Sequence, residues 1–466
     1  MNISGHKPVG VKWLRAGFVI TTALFATVLT LVALNSVDAH TRLPDGDDSE
    51  DEAIRYRQSQ PDDAIARLQK EIDAGHIHLT SNGRQGVLLS LLKQLKIPVE
   101  SQLLVFSKTS FQRELIAPTN PRALYFNDHT YIGWVQGSSI LEAATMDPRL
   151  GMVFYTADQD SPGKLVFKRG TDECLQCHET TMSNKVPGNI MRSVFTHVDG
   201  QPEYSAGTYL TDDSSPMEER WGGWYVTGTH GGIRHMGNVT VRGERENITI
   251  DRGAGANVTN LARFFQTSHY LQPTSDIVAL MVAEHQTRIQ NLIIRAGYQT
   301  RIAERYDAAL NRDLNRPEGY HSDSMHSRIV SVCEPLVKGI LFTDEPPLAN
   351  PIVGSNHYTA QFESLSAINH EADRRGRSLR ELDLKRRLMR YRCSYMIYSD
   401  AFRALPARAR EYVFQRLIEV LTGKDTSKPF AILTAATEER AAILDILTET
   451  DPEFAAFRKT NPTLTP

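Results

Sequence analysis

This sequence of 466 residues has few cysteines and no excess of Lys and Arg over Asp and Glu. Only four cysteines occur, which is too few for the disulfide framework of small secreted domains. Lys and Arg together number 52 against 55 Asp and Glu, and the net charge is −3. The chain therefore lacks the basic field that non-specific binding to nucleic acid requires, and we expect no nucleic-acid partner.

Internal repeats are also absent, and the one strongly biased stretch is an acidic segment near the N-terminus. This excludes solenoids, propellers and other repeat architectures. With 41% hydrophobic residues, a chain of this length buries at least one large core. We therefore expect a globular protein.

The first forty residues predict export from the cytoplasm. Lys7, Lys12 and Arg15 precede an uncharged stretch over 16–34, and small or compact residues follow at 37–39. This order is typical of a cleaved secretory signal, but the stretch also approaches the roughly 20 residues that span a bilayer. Both interpretations, a cleaved signal and a single N-terminal membrane anchor, place the bulk of the chain in the periplasm or outside the cell.

Four regions follow from the composition. We assign 1–39 to the signal or anchor and 40–60, which is rich in Asp and Glu and poor in apolar residues, to a disordered acidic tether. Residues 61–260 mix two amphipathic helices with short β-type runs. Residues 261–466 are mostly helical in pattern.

The predicted fold class is α+β. Short runs rich in β-branched and aromatic residues predict strands and loops over about 100–250. Apolar periodicity predicts a long helix over about 275–310 and further helices over 379–398, 407–422 and 436–449.

The cysteines at 174 and 177 carry the most specific signal in the sequence. Cys174, Cys177 and His178 form a C-x-x-C-H motif, which in an exported protein predicts one covalently attached haem c. The two thiols bind the vinyl groups of one porphyrin, and the adjoining histidine binds the iron as proximal ligand. A thioredoxin-like redox pair or half of a zinc site are the alternatives, but neither the flanking pattern nor a second ligand pair supports them.

The second axial ligand of the iron is left open by the sequence. His230, His235 and Met236 lie together in a Gly-rich loop, and Gly lets a backbone approach a cofactor closely. His285 points with the apolar stripe of the predicted long helix, where a core histidine is the alternative role. Met182 follows His178 too closely to cross to the opposite face of the porphyrin.

Two further pairs of residues are candidates for supporting roles. Arg192 and Arg234 lie near the motif or the Gly-rich loop, and Arg suits the carboxylates of haem propionates. Cys333 and Cys393 remain after haem attachment, as free buried thiols or as a disulfide in an oxidising compartment.

Long segments of the chain also carry a family resemblance: 121–128 (PRALYFND), 131–134 (YIGW), 174–178 (CLQCH), 219–230 (ERWGGWYVTGTH), 275–281 (SDIVALM), 376–380 (GRSLR) and 393–399 (CSYMIYS). They resemble a family of exported bacterial proteins described only as cytochrome c domain-containing. The likeness covers most of residues 60–450. It implies a single covalent haem on Cys174, Cys177 and His178, with no defined activity.

The small all-helical cytochrome c fold is not expected here. That fold wraps about 100 residues around the haem, with the attachment motif on an N-terminal helix. In this chain more than 100 residues and several β-type runs precede the motif.

Three classes of function are compatible with one covalent haem. The first is one-electron transfer to an unidentified redox partner protein. The second is a haem-dependent redox enzyme of the reductase or peroxidase type, with an open or displaceable sixth position on the iron. The third is a sensor or a haem-bearing subunit of a larger assembly. The sequence names no substrate, so catalysis itself stays undecided.

Overall fold

The computed structural model describes residues 48–160, 164–243 and 248–462. The predicted signal or anchor at 1–39 lies outside these ranges. Within them the chain contains eleven strands and eleven α-helices. Ten of the strands precede residue 230, and eight of the helices follow residue 276. The fold is α+β as predicted, and it differs from the small all-helical cytochrome c fold.

The strands are, in chain order, β1 (Leu103–Val105), β2 (Arg122–Phe126), β3 (Thr130–Val135), β4 (Ile140–Asp147), β5 (Gly151–Asp158), β6 (Phe167–Gly170), β7 (Arg192–Val194), β8 (Thr208–Leu210), β9 (Trp224–Tyr225), β10 (Gly228–Thr229) and β11 (Val353–Gly354).

The helices are α1 (Ala64–Asp73), α2 (Leu88–Gln94), α3 (Asp172–His178), α4 (Ile277–Asp313), α5 (Asp323–Ile340), α6 (Tyr358–Ile368), α7 (Asp400–Arg403), α8 (Ala407–Leu421), α9 (Ala431–Thr434), α10 (Thr437–Thr450) and α11 (Pro452–Thr460).

Seven strands form one antiparallel sheet in the order β6-β5-β4-β3-β2-β1-β9. Consecutive strands from β1 to β6 are neighbours, as in a meander, while β9 returns from later in the chain to pair with β1. Burial alternates along β2 and along the first half of β4. One face of the sheet is therefore fully covered, and the other is only half-buried.

Helix α4 is the longest element and is buried along most of its length. Its start follows from its N-cap, because the Asp276 carboxylate accepts hydrogen bonds from the backbone N–H groups of Val278 and Ala279. Farther along, the Tyr298 hydroxyl donates to the carbonyl of Leu150 at 2.7 Å. The helix therefore connects the sheet to the helical half.

The described residues form one unit by their contacts. The boundary predicted between 61–260 and 261–466 therefore marks a change from mostly strands to mostly helices within that unit.

The prediction of a disordered tether over 40–60 is wrong for its described part. Ile54 and Tyr56 are buried, and the Tyr56 hydroxyl donates to the carbonyl of Met152 at 2.9 Å. The Arg169 guanidinium donates to the carbonyl of Tyr56 at 2.7 Å and lies over its ring. Two apolar anchors and this arginine hold an otherwise polar segment, and composition alone does not reveal such partners.

The predicted helix over 379–398 is also wrong. This segment consists of turns, with a short 3-10 helix at Tyr395–Tyr398. Arg380 pairs with Asp128 and Glu371, and Arg387 pairs with Glu439. These buried ion pairs to distant parts of the chain hold the backbone in an irregular path that helical periodicity does not predict.

We predict that Tyr56→Ala lowers the free energy of unfolding by about 3–5 kcal/mol, because it removes a buried aromatic side chain. Urea unfolding followed by circular dichroism measures the change. Gln58→Ala, at an exposed position of the same segment, is the matched control and should change stability by less than about 0.5 kcal/mol. Equal stability of the two variants would mean that the segment is detached in solution.

Candidate functional site

Helix α3 carries the whole C-x-x-C-H motif at the edge of the seven-stranded sheet. It begins two residues after β6 ends and is fixed by buried Leu175. Cys174 and His178 lie one turn apart, whereas Cys177 is exposed. A Cβ at Gly170 would lie 2.6 Å from the Cys174 sulfur, so glycine at the end of β6 leaves room for this thiol.

The His178 side chain is oriented by a backbone carbonyl. Its Nδ1 lies 2.9 Å from the carbonyl oxygen of Gly188, so Nδ1–H donates there and the neutral ring keeps its lone pair on Nε2. Burial lowers the pKa of His178 and favours this neutral form. The ring also packs on Phe154, with centroids 4.4 Å apart. In metalloproteins, ligating histidines are commonly oriented by such a hydrogen bond from the other ring nitrogen to a backbone carbonyl.

Gly188 is itself held in place from both sides. Its N–H donates to the His178 carbonyl at 2.9 Å. A Cβ at this position would lie 2.2 Å from the Asn291 Oδ1 on α4. The Asn291 amide donates to the carbonyl of Asn189 at 2.7 Å. The loop that orients the imidazole is therefore fixed against the long helix.

The Cys174 thiol differs from those of thiol-disulfide oxidoreductases. Burial raises the pKa of Cys174 to about 11, the opposite of the shift found in thiol-disulfide oxidoreductases. Across the described ranges, no three or more His, Cys, Asp or Glu side chains are gathered to hold one metal ion. Haem c needs no such gathering, since its two vinyl carbons and its iron are separate points of attachment.

The sheet face beside His178 is half-buried and carries one ion pair. Strand register places Phe154, Glu142 and Arg122 on the same face. Glu142 and Arg122 pair across Gly133, where a Cβ would lie 2.6 Å from the Arg122 Nη2. Nothing in the sequence predicted this pair, because the two residues lie on strands that are not adjacent.

An apolar edge adjoins this face. The Gln112 amide donates to the Glu142 carboxylate at 2.9 Å. Phe111, next to Gln112, is 73% exposed, and Leu115 is 43% exposed. The edge of this sheet face is therefore partly apolar at the surface.

The predicted distal-ligand loop does not offer a free histidine lone pair. The His230 Nε2 accepts from the N–H of Asn257 at 3.0 Å, and the His235 Nδ1 accepts from the N–H of Gly237 at 3.0 Å. The remaining nitrogen of each neutral ring therefore carries the proton. Met236 is buried and receives the Ser193 hydroxyl at its sulfur.

His285 is a satisfied core histidine. Its Nδ1 lies 3.1 Å from the Asp213 carboxylate, and its Nε2 lies 2.7 Å from the Ser394 hydroxyl. Its ring stacks on Phe342, with centroids 4.1 Å apart. With both nitrogens engaged, His285 does not fit the role of an iron ligand.

Asp213, His285 and Ser394 are linked by hydrogen bonds in the way that the residues of a hydrolytic triad are. Their burial, however, does not fit an active site. All three side chains are buried, and Ser394 Oγ also accepts from the N–H of Met396. A substrate carbonyl cannot reach the buried hydroxyl, so the three residues act as a structural link between separate parts of the chain. Their separations of 72 and 109 residues gave no signal in the sequence.

The two candidate propionate ligands have other partners. The Arg192 Nε donates to the Thr208 hydroxyl at 3.3 Å, and its guanidinium lies over the Tyr204 ring. The Arg234 guanidinium donates to carbonyls of its own loop, including that of Ile233 at 2.9 Å. The structure therefore shows neither arginine directed at the motif.

The remaining cysteines are separate buried thiols. Cys333 and Cys393 are both free. The Cys333 sulfur faces the carbonyl of Ala409 at 3.9 Å, and burial raises its pKa to about 12. No disulfide therefore connects α5 to the segment around 393.

No family model, no curated protein and no solved structure matches this chain. Within the described ranges, no helix combines the length and the apolar character needed to cross a bilayer.

We predict that Asp213→Asn lowers the free energy of unfolding at pH 7 by about 3–5 kcal/mol, because it leaves Arg288 without its buried counter-charge. Although burial alone would raise it, the charges of His285 and Arg288 hold the pKa of Asp213 below its usual value of 3.8. The stabilisation is therefore present above that pH and is lost as the pH falls through the lowered pKa.

Denaturant unfolding at several pH values measures this effect. The difference between wild type and Asp213→Asn should narrow below about pH 4. Asp212→Asn is the matched control, because Asp212 is 35% exposed and lies 3.7 Å from the same Arg288. We expect it to cost less than about 1 kcal/mol, and an equal loss for both variants would contradict the assigned role of Asp213.

Proposed function

We propose that the chain is an extracytoplasmic monohaem c-type cytochrome that transfers single electrons to and from a redox partner protein. The observation that carries the proposal is the hydrogen bond from His178 Nδ1 to the Gly188 carbonyl. It prepares Nε2 as a ligand within a C-x-x-C-H motif, in the tautomer that a proximal histidine requires. When bound, haem supplies an iron that cycles between two oxidation states.

The residues around the motif suit this cofactor. Cys174 and Cys177 would hold the porphyrin, and His178 would bind the iron. The half-buried sheet face on which Phe154 packs against His178 offers apolar surface that a porphyrin can cover. The protein's contribution is to orient the imidazole, to exclude water from one side and to set the potential by burial and hydrogen bonding.

The sixth position on the iron distinguishes the proposed cytochrome from a second candidate function, a haem-dependent reductase or peroxidase. His230, His235 and His285 all have nitrogens engaged in ways that leave no lone pair free for iron. This observation favours a distal ligand from elsewhere, or an open position of the kind that a haem-dependent reductase or peroxidase uses.

Covalent attachment is the first test. The wild-type protein, exported from a host with a c-type haem attachment system, should retain haem in a denaturing gel. The Cys174→Ala/Cys177→Ala variant should lose the haem stain, because no thioether bond can form. The Cys333→Ala/Cys393→Ala variant removes two thiols away from the motif and should keep the stain. An exported wild-type protein that releases its haem in the gel would refute the proposal.

Iron coordination is the second test. We expect His178→Ala to keep the covalent haem but to change the ferric and ferrous absorption spectra, since only the proximal ligand is lost. His230→Gln and His285→Gln should leave the spectra as they are in the wild type.

The spin state separates the two candidate functions. A low-spin, six-coordinate resting spectrum supports electron transfer with a ligand other than these histidines. A high-spin spectrum supports the enzyme. Loss of low-spin bands in His230→Gln or His285→Gln would contradict the hydrogen-bond assignments above.

A further inference from the structure

Three buried aromatic nitrogens in the 221–235 region have no hydrogen-bond partner among the described residues. They are the Nε1 of Trp221, the Nδ1 of His230 and the Nε2 of His235. The ring centroids of His230 and His235 lie 4.9 Å apart, and those of Trp221 and His235 lie 5.4 Å apart. The three side chains are at most 2% exposed. We call them the donor cluster.

The hydrogen bonds around the cluster determine what it can bind. Backbone N–H groups donate to the other nitrogen of each histidine, and a neutral imidazole has one donor and one acceptor nitrogen. Burial lowers the pKa of His235 to about 3 and also lowers that of His230, so both rings are neutral near pH 7. The free nitrogens are therefore donors, and an indole nitrogen is always one.

Three donors do not form a metal site, because a metal ion requires lone pairs. They require an acceptor, and buried donors without one are rare in native proteins. The positive charge of Arg234 lies close enough to lower the pKa of both histidines, and it favours a negatively charged acceptor.

The backbone holds the cluster in a strained arrangement. Trp221 has a φ of 67°, a left-handed conformation that is unusual for a bulky residue. A Cβ at the following Gly222 would lie 2.8 Å from the backbone of Val194, so the turn is pressed against β7. Strain of this kind is most often retained at binding sites.

The surface lies close to the cluster. Gly231, Gly232 and Arg234 are exposed, and they form the short loop that joins the two buried histidines. The loop that joins the two histidines is therefore in contact with solvent.

We propose that the donor cluster binds a small oxyanion of the carboxylate type, whose oxygens accept the three N–H groups. Fixed neutral donors stabilise buried negative charge without reorganisation. The anion has two sources, a free solute or a carboxylate of the covalent haem. The site itself does not depend on the proposed function.

The experiment titrates the purified full-length protein, labelled with ¹⁵N at its tryptophan indoles, with sodium formate. Trp134, Trp221 and Trp224 follow the predicted signal or anchor over 1–39. Each gives one indole N–H signal, which single Trp→Phe variants assign. We expect the Trp221 signal to move downfield as its N–H finds an acceptor. Calorimetry should show that Trp221→Phe weakens formate binding by about tenfold or more, the value of one hydrogen bond to a charged group.

Trp134→Phe is the matched control. The Trp134 indole nitrogen is also buried and without a partner, but its ring packs on Tyr270, with centroids 5.6 Å apart. This variant removes an equivalent ring and N–H from strand β3, outside the donor cluster, so formate affinity should stay unchanged.

The outcomes distinguish the two sources. A formate-dependent shift of the Trp221 signal supports a free anion. A signal that is already downfield, and becomes sensitive to formate only in Cys174→Ala/Cys177→Ala, supports the haem carboxylate.

No formate response in either protein would mean that the cluster holds only water, and it would overturn the proposal. The response of the Trp221 indole signal to formate in the wild-type protein decides between these outcomes, even if Trp221→Phe fails to fold. A wild-type protein that is exported without covalent haem and binds formate at Trp221 would refute the proposed function and leave this site standing.

Discussion

The burial of a long helix with polar side chains on several sides is the constraint on which the fold depends. Ile277–Asp313 runs through the molecule, and Glu284, His285, Gln286 and Gln290 are all buried. Buried polar groups without partners are costly, so each must meet a specific partner. Arg220 pairs with Glu284 at 2.9 Å, and other parts of the chain supply the remaining partners. The helix thereby determines where those segments lie.

The C-x-x-C-H motif depends on the same helix. Asn291 packs against Gly188, which leaves no room for a side chain there, and Gly188 orients His178 through its carbonyl. The His178 imidazole is therefore held by a chain of contacts that begins on the long helix. The donor cluster around Trp221 has a similar origin, because Arg220 beside it is tied to Glu284 on that helix.

Local signals predicted the elements whose determinants are close in sequence. The N-cap at Asp276 and the helix at Ala407–Leu421 have such determinants in caps and apolar periodicity. The prediction failed at 379–398, where Arg380 meets partners 252 and 9 residues away. It also failed at 48–60, where two apolar residues hold an acidic segment. In both cases tertiary contacts outweighed local preference.

The sequence alone determined the chemistry of the motif, because the spacing of Cys174, Cys177 and His178 brings two thiols and an imidazole onto one short helix. It also determined the α+β class, since that follows from hydrophobic periods that are local. Only the tertiary structure decided which nitrogen of each histidine is free. That choice rests on backbone groups such as those of Gly188, Asn257 and Gly237, and on the way folding places them against the rings.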